Sequence, residues 1–371
     1  MPISSRRDFI QKISLGIGAT AFLNNDIFAN QDLQKEFIPE EKKLKVALVG
    51  LGYYATDQLA PALQKTDYCK LNGIVTGTPS KAEEWIKKYK LSKKNVYNYQ
   101  NFDSIIDNKD IDVVYIVLPN SMHHEFVIRA AKAGKHVICE KPMSVSVKEA
   151  EEMIDACKKA NKQLAIGYRL HFEPFTLEMA RLGQKKVYGN VKFIEASFGF
   201  PIGDPNQWRM KKALAGGGPL MDVGIYAIQG CRYILGENPI SVTAQQIKTN
   251  PIRFKDVEET LTWQFQFPSG AISSSTTTYA SSIERLFASA EKGTFELEPA
   301  FGYGPLKGKS SEGEMKLPII NHQVAQLNGI CKSIINNEPN IVPGEEGLID
   351  MKIIEAIYTA MESGNKVAIK Y

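Results

Sequence analysis

Short apolar runs alternate with amphipathic stretches through the first half of the chain. Val46-Ala47-Leu48-Val49 and residues 71–75, 113–118, 137–139 and 164–168 are each apolar or nearly so. This is the pattern of strands buried on both faces of a sheet, not of strands with one wet face. Between these runs, residues 55–65, 123–133 and 147–161 read as helices. Strand and helix in alternation predict an α/β domain built on a parallel sheet.

From Val191 the pattern changes. Residues 191–200, 240–247, 259–267, 271–279 and 287–297 are longer strand-like stretches joined by turns. The alternation Thr260-Leu261-Thr262-Trp263-Gln264-Phe265-Gln266-Phe267 predicts a sheet with one buried face and one differently used face. The second half is therefore expected to be an α+β domain with a large open, mainly antiparallel sheet. Large apolar patches rarely stay exposed, so that face is expected to be covered by a second subunit, giving a homodimer or homotetramer.

Composition narrows the class. A chain of 371 residues, 43% hydrophobic, is long enough for two cores. Its 45 basic and 41 acidic side chains give a net charge of +4 and are spread along the chain, which leaves no nucleic-acid footprint. Near the amino terminus, Ser5-Arg6-Arg7-Asp8-Phe9-Ile10 precedes a modest apolar run over residues 13–23. This resembles a twin-arginine export signal, and the run is too short and too weakly apolar to be a stable membrane anchor. Residues 1–29 are read as that signal, residues 30–43 as an arm or linker, and the location as periplasmic. The five cysteines, Cys69, Cys139, Cys157, Cys231 and Cys331, have no paired spacing, so neither a disulfide framework nor a zinc site is expected. Each reads as a small buried filler.

The first apolar strand ends in Gly50-Leu51-Gly52-Tyr53-Tyr54-Ala55. Strand, glycine turn and helix in this order form a dinucleotide-binding turn, the glycines permitting a tight bend and close approach of a pyrophosphate. The residues ending the second strand bear on which nucleotide is bound. A carboxylate there would bond a ribose 2'-hydroxyl and repel a 2'-phosphate, but the chain has Thr76-Gly77-Thr78-Pro79-Ser80-Lys81. Hydroxyls and an ammonium at a helix start favour a phosphate, so the expected cofactor is NADP, read by Thr76 and Lys81. Pro119-Asn120 lies at another strand's carboxyl end and is expected to border the cofactor. His123 and His124 are expected to be a surface or capping pair and not metal ligands.

Two further motifs carry chemistry. Glu140-Lys141-Pro142 follows the strand at 137–139, so Lys141 stands where an α/β sheet binds its ligand. In Gly216-Gly217-Gly218-Pro219-Leu220-Met221-Asp222-Val223-Gly224-Ile225-Tyr226, a helix is expected from Asp222, with Asp222 at or near its cap. Asp222 and Tyr226, four apart, would share one face. A free phenol ionises near pH 10, and a neighbouring ammonium favours the phenolate. Lys141 beside Tyr226 therefore makes an acid/base pair, with Asp222 orienting the substrate or Lys141.

The ordered set of glycine turn, Glu-Lys-Pro and Asp-x-Gly-x-Tyr resembles the Gfo/Idh/MocA oxidoreductases, and within them the glucose-fructose oxidoreductase branch. The similarity runs from about Leu44 to the carboxyl terminus, through Tyr115-Ile116-Val117-Leu118-Pro119-Asn120-Ser121, Gln207-Trp208-Arg209 and Pro343-Gly344-Glu345-Glu346-Gly347. It implies a Rossmann domain over 44–168 and a substrate-binding and oligomerisation domain over 169–371. It also implies catalytic roles for Lys141, Tyr226 and Asp222. The cofactor contacts implied are Gly50, Leu51, Gly52, Tyr53, Tyr54, Thr76, Lys81, Leu118, Pro119, Asn120, His123, Glu140, Lys141, Arg169, Trp208 and Arg209. His171 and Tyr279 join Lys141, Asp222 and Tyr226 as substrate contacts, while Arg169, His171 and Tyr279 are equally open to structural roles. Family members tend to have a cis bond at the position of Lys141-Pro142.

Export adds a constraint, because a periplasmic enzyme has no obvious pool of NADP. The expected activity is therefore a sugar oxidoreductase with a tightly bound nucleotide, oxidising an aldose to its lactone and reducing a second carbonyl sugar in the same pocket. Two rival readings remain. One is an exported NAD-dependent glycoside hydrolase of the same fold, marked by release of nitrophenol from a nitrophenyl glycoside. The other is a non-catalytic NADP-binding sensor, marked by bound cofactor without turnover.

Overall fold

A computed structural model describes residues 38–371; the export signal, its cleavage site and most of the arm lie outside the described residues. The first half contributes β1 (Leu44–Val49), β2 (Cys69–Val75), β3 (Val96–Tyr97), β4 (Val113–Ile116), β5 (His136–Cys139) and β6 (Leu164–Ile166). They form one sheet in the order β3-β2-β1-β4-β5-β6, and every pair is parallel. Val46 to Val49 and Val113 to Ile116 are wholly buried, as continuous apolar strands covered on both faces must be. Strand order reverses between β1 and β4. The crevice at their carboxyl ends is the topological switch point at which such sheets bind ligands.

The second half contributes β7 (Val191–Gly199), β8 (Ser241–Ile247), β9 (Thr260–Gln266), β10 (Ile272–Thr278), β11 (Ile283–Ala290), β12 (Gly293–Leu297), β13 (Gly308–Ser310), β14 (Gly313–Glu314) and β15 (Val367–Ala368). Their order is β14-β13-β12-β11-β7-β10-β9-β8-β15. Only β7 and β10 pair in parallel; the other neighbours are antiparallel. The single strand expected over 287–297 is instead a hairpin of β11 and β12, in which Ala290 pairs with Gly293 around Glu291-Lys292. Across the polar pair Glu291-Lys292 the buried positions change phase, from Leu286 and Ala288 to Phe295 and Leu297. Glu291 holds the turn by accepting from Asn190 N–H at 3.1 Å.

The helix Ile225–Leu235 packs on β7, β10 and β11, and Gly344–Ser363 packs on β8. Leu261, Trp263 and Phe265 are buried on this face. The opposite face shows Thr243, Gln245, Thr262, Gln264, Ser274 and Thr276 at least partly to solvent. The same face also carries exposed Ile247, Ile272 and Ile283 and half-buried Phe193 and Phe287, so it mixes polar and apolar side chains. The last two helices return to the first half of the chain. His322–Asn336 packs on the turn Arg169–Phe172 and on β2, and Gly344–Ser363 packs on β6 and the helix Val147–Lys159. All five cysteines are buried and free. No helix among the described residues is long and apolar enough to cross a membrane.

Candidate active site

The glycine turn sits at the switch point. Gly50 has φ 91°, and a Cβ there would lie 2.4 Å from Val117 O and 2.8 Å from Leu118, so only glycine fits against the end of β4. A Cβ on Gly52 would meet nothing within 4 Å, which leaves open backbone on the side a pyrophosphate would approach. Lys81 Nζ reaches back from the helix Pro79–Tyr89 to Leu51 O at 3.2 Å. Thr78 N–H donates to Thr76 Oγ1 at 3.2 Å, leaving the Thr76 hydroxyl hydrogen for another acceptor. An ammonium, a hydroxyl and a glycine backbone therefore meet at one end of the crevice, and this donor set fits a phosphorylated nucleotide.

The β4 and β5 ends are tied together from beneath. His123 is fully buried, which corrects the expected surface position. Its Nδ1 lies 2.9 Å from Pro142 O and its Nε2 2.9 Å from Leu118 O. Burial lowers its pKa to about 4 although both carbonyls favour the charged form, so the neutral ring donates to one carbonyl at a time. His124 does stand nearer the surface, 2.7 Å from Glu152. Asn120 Nδ2 donates to Ala215 O at 2.8 Å, joining Pro119-Asn120 to the short helix Lys212–Ala215 of the second half. The Lys141-Pro142 bond is cis. Glu140 accepts from Tyr115 OH at 2.6 Å, which in turn accepts from Gln326 at 2.8 Å. Burial raises the Glu140 pKa against the pull of that hydrogen bond and of Lys141.

Lys141, Asp222 and Tyr226 come together as expected, by a route the sequence did not show. Asp222 is not a cap: Leu220–Gly224 is a π-helical turn that runs into the helix Ile225–Leu235, a distortion common at functional sites. Lys141 Nζ donates to Asp222 O at 2.6 Å and lies 3.5 Å from Asp222 Oδ1. The other carboxylate oxygen, Oδ2, accepts from Arg209 Nε and from Tyr279 OH, each at 3.0 Å. Burial opposes the charge on Asp222, but Arg209, Lys141 and the Tyr279 hydroxyl outweigh it and hold the carboxyl below its usual range. Asp222 is therefore a fixed anion and a weak base. The Tyr226 ring has two cations on it, Lys141 Nζ 4.9 Å and Arg169 Cζ 5.2 Å from its centroid.

Tyr279 and Arg209 join the site through Asp222, and His171 falls elsewhere. Tyr279 is buried and uses its hydroxyl on Asp222. Arg209 also stacks on the Trp208 ring at 4.4 Å, so this pair covers the carboxylate from the side of a small separate core of Ile202, Met210, Phe254, Val257 and Tyr279. The His171 ring lies 4.0 Å from Tyr233 and 5.8 Å from Tyr168. Its Nε2 is buried without a partner, and burial with Arg232 nearby lowers its pKa to about 3. His171 thus packs between Tyr168 and Tyr233 with Arg232 nearby. Among the described residues no cluster of three His, Cys, Asp or Glu side chains is arranged for a metal.

Several supporting residues carry no local signal in the sequence. Glu258 accepts from Gly218 N–H at 2.9 Å, Leu220 N–H at 3.1 Å and Tyr358 OH at 2.9 Å, which pins the glycine loop that starts the π-turn. A Cβ on Gly217 would lie 1.9 Å from the Tyr358 hydroxyl oxygen. Gly217→Ala should therefore displace Tyr358, cost about 1–3 kcal/mol in urea unfolding and lower turnover with it. Adding Tyr358→Phe removes the clashing oxygen, so the double variant should be more stable than the sum of the singles; strict additivity would contradict the contact. His322, whose Nδ1 is 2.7 Å from Arg169 Nη1, likewise comes from a distant segment.

With this geometry in place, comparisons with known proteins agree. Residues 44–168 match the family model for the oxidoreductase family with NAD-binding Rossmann fold, and residues 176–296 match the GFO/IDH/MocA C-terminal domain. The chain is 40% identical to the aldose-aldose oxidoreductase of Caulobacter crescentus, solved with glycerol, at a TM-score of 0.86 over 88% of this chain and 100% of that one. It is 26% identical to the NADP(+) D-xylose 1-dehydrogenase of Haloarcula marismortui over 92% of this chain and 97% of that protein. A levoglucosan dehydrogenase solved with NADH and levoglucosan shares the fold at 22% identity, with a TM-score of 0.75 over 89% of this chain and all of its own. The chain belongs to the Gfo/Idh/MocA family of oxidoreductases.

Proposed function

We propose that the protein is an NADP-dependent sugar oxidoreductase that keeps its nucleotide bound, oxidising an aldose to its lactone and reducing a second carbonyl sugar in the same pocket. The observation that carries this reading is the Tyr226 phenol set against Lys141 and Arg169, above a carboxylate that is already ionised and fully engaged. Oxidising a sugar hydroxyl requires its proton and a hydride to leave in different directions. Tyr226 exchanges the sugar's proton through its phenol oxygen, with Lys141 and Arg169 packed on its ring. A bound nicotinamide would supply the hydride acceptor for the first sugar and the hydride donor for the second carbonyl, to which Tyr226 would return the proton. Lys141 also polarises the sugar oxygen, while Asp222 keeps Lys141 in place. Glu140, Asn120 and the β1 turn line the nucleotide side of the crevice.

The names of the relatives support the substrate class, since two of them act on aldoses. On the nucleotide they diverge, one using NADP(+) and another crystallised with NADH. Lys81 beside the glycine turn, with no carboxylate ending β2, supports NADP. Lys81→Ala should weaken NADP binding by about 1.5–3 kcal/mol, the range for a lost charged hydrogen bond, and leave NAD binding unchanged in a fluorescence titration. An equal loss for both nucleotides would remove Lys81 from phosphate recognition. Denaturing protein purified without added cofactor should release NADP; release of NAD would contradict this reading.

The arginine pair at the amino terminus supports folded export to the periplasm, which cell fractionation tests. A homodimer or homotetramer completes the reading. Light scattering tests it, and a monomeric mass would overturn it.

A further inference from the structure

The ring of Tyr54, two residues beyond Gly52, stacks on that of Tyr303 with centroids 5.7 Å apart and planes 27° apart. Tyr54 belongs to the nucleotide turn after β1. Tyr303 belongs to the loop between β12 and β13, more than two hundred residues away in the chain. Two charged side chains fix that loop. Glu284 Oε1 accepts from Phe301 N–H and Gly302 N–H at 2.6 Å each. The Arg169 guanidinium donates to Gly302 O at 3.0 Å and to Phe301 O. A carboxylate on the amides and a guanidinium on the carbonyls of the same two residues hold a short loop more firmly than neutral partners would.

Packing alone does not account for this arrangement. Tyr303 remains 47% exposed, so the stack contributes little to the core. It does join the glycine turn of the first half to the sheet of the second. Arg169 also lies 4.7 Å from the Tyr303 centroid and 5.2 Å from that of Tyr226. One buried arginine thus links the loop to the acid/base residue.

We propose that Tyr303 is a cofactor-retaining residue, whose stack on Tyr54 closes the crevice beside the glycine turn and sets the rate at which the nicotinamide nucleotide leaves. The inference rests on the reading of a resident nucleotide and deepens it, because a bound nucleotide that is reduced and reoxidised in place must outlast both half-reactions.

The test is the dissociation rate of NADPH, followed by its fluorescence after mixing loaded protein with excess NADP. Tyr303→Ala should release NADPH about tenfold faster than wild type, the factor an aromatic pair of this kind supplies. Tyr303→Phe, which keeps the ring, should release it at the wild-type rate. Glu284→Gln, which loosens the loop but spares the ring, should fall between the two. Thermal melts show that each variant is folded. An unchanged rate in Tyr303→Ala would overturn the proposal, as would an equal acceleration in Tyr303→Phe. Wild-type protein that loses NADPH during purification would instead refute the resident-nucleotide reading, and the ratio of variant to wild-type rates would still decide the role of Tyr303.

Discussion

Tyr226→Phe is expected to slow hydride transfer about 100- to 10,000-fold, the range for removing a positioned acid/base group, while nucleotide affinity stays unchanged. The ring itself is held by Phe198 at 5.7 Å and Phe301 at 6.2 Å, besides the two cations. Phenylalanine preserves those contacts and removes only the oxygen. Chemistry then limits turnover, so a sugar deuterated at the reacting carbon should show a full primary isotope effect in single-turnover measurements. Lys141→Met should cost a similar factor for a different reason. It removes one of the cations facing the phenol and leaves Asp222 O without its 2.6 Å partner. A wild-type single-turnover rate in Tyr226→Phe would move the base elsewhere. Asp222 is a poor substitute, since Arg209, Tyr279 and Lys141 already engage its charge.

The second large effect is on stability in acid. His123, His136, His171 and His322 are held neutral, with pKa values lowered to about 4, 4, 3 and 4, in each case chiefly by burial. A folded pKa below the unfolded value means that the unfolded chain binds more protons as pH falls below about 6.5, so stability rises with pH in that window and is lost on acidification toward pH 4. Glu140, Glu173 and Asp350 oppose this, because burial raises their pKa values and lets the folded state take up protons. His171 isolates the histidine contribution, since its Nε2 has no partner to lose. One group with its pKa lowered to about 3 costs about 2 kcal/mol between pH 7 and pH 5. His171→Phe fills the same place between Tyr168 and Tyr233 and should remove about that much of the acid destabilisation in urea unfolding at the two pH values. An unchanged pH dependence would mean that His171 is not held neutral.

What the sequence disclosed follows from how local each signal is. β1, β4 and β5 were legible because a strand buried on both faces must be apolar at every position. The glycine turn was legible because only glycine tolerates its φ and the nearby Val117 carbonyl. Lys141 at a strand end and Tyr226 one helical turn beyond Asp222 were each legible locally, and the family resemblance paired them. Tyr303, Glu258, Tyr358 and His322 were not legible, because their roles depend on contacts between segments tens to hundreds of residues apart, and no nearby pattern marks them. His123 misled for a related reason. Its position at a helix start suggested a cap, whereas two carbonyls from separate loops determine its place. The hairpin of β11 and β12 is marked in the sequence only by the short polar turn Glu291-Lys292-Gly293, which fits inside a single strand-like stretch. The mixed outer face of the second sheet, polar at Thr262, Gln264 and Thr276 and apolar at Ile247 and Ile272, follows the strand alternation that assigns each residue a face.

The central claim is that Lys141, Tyr226 and Asp222 run both half-reactions on one resident nucleotide. The direct measurement is the absorbance of protein purified without added cofactor, first mixed with an aldose and then with a second carbonyl sugar. The reduced-nicotinamide band should rise with the first sugar and bleach with the second, with no nucleotide in the filtrate after ultrafiltration. A band that never forms, or that forms only when free NADP is supplied, would contradict the account.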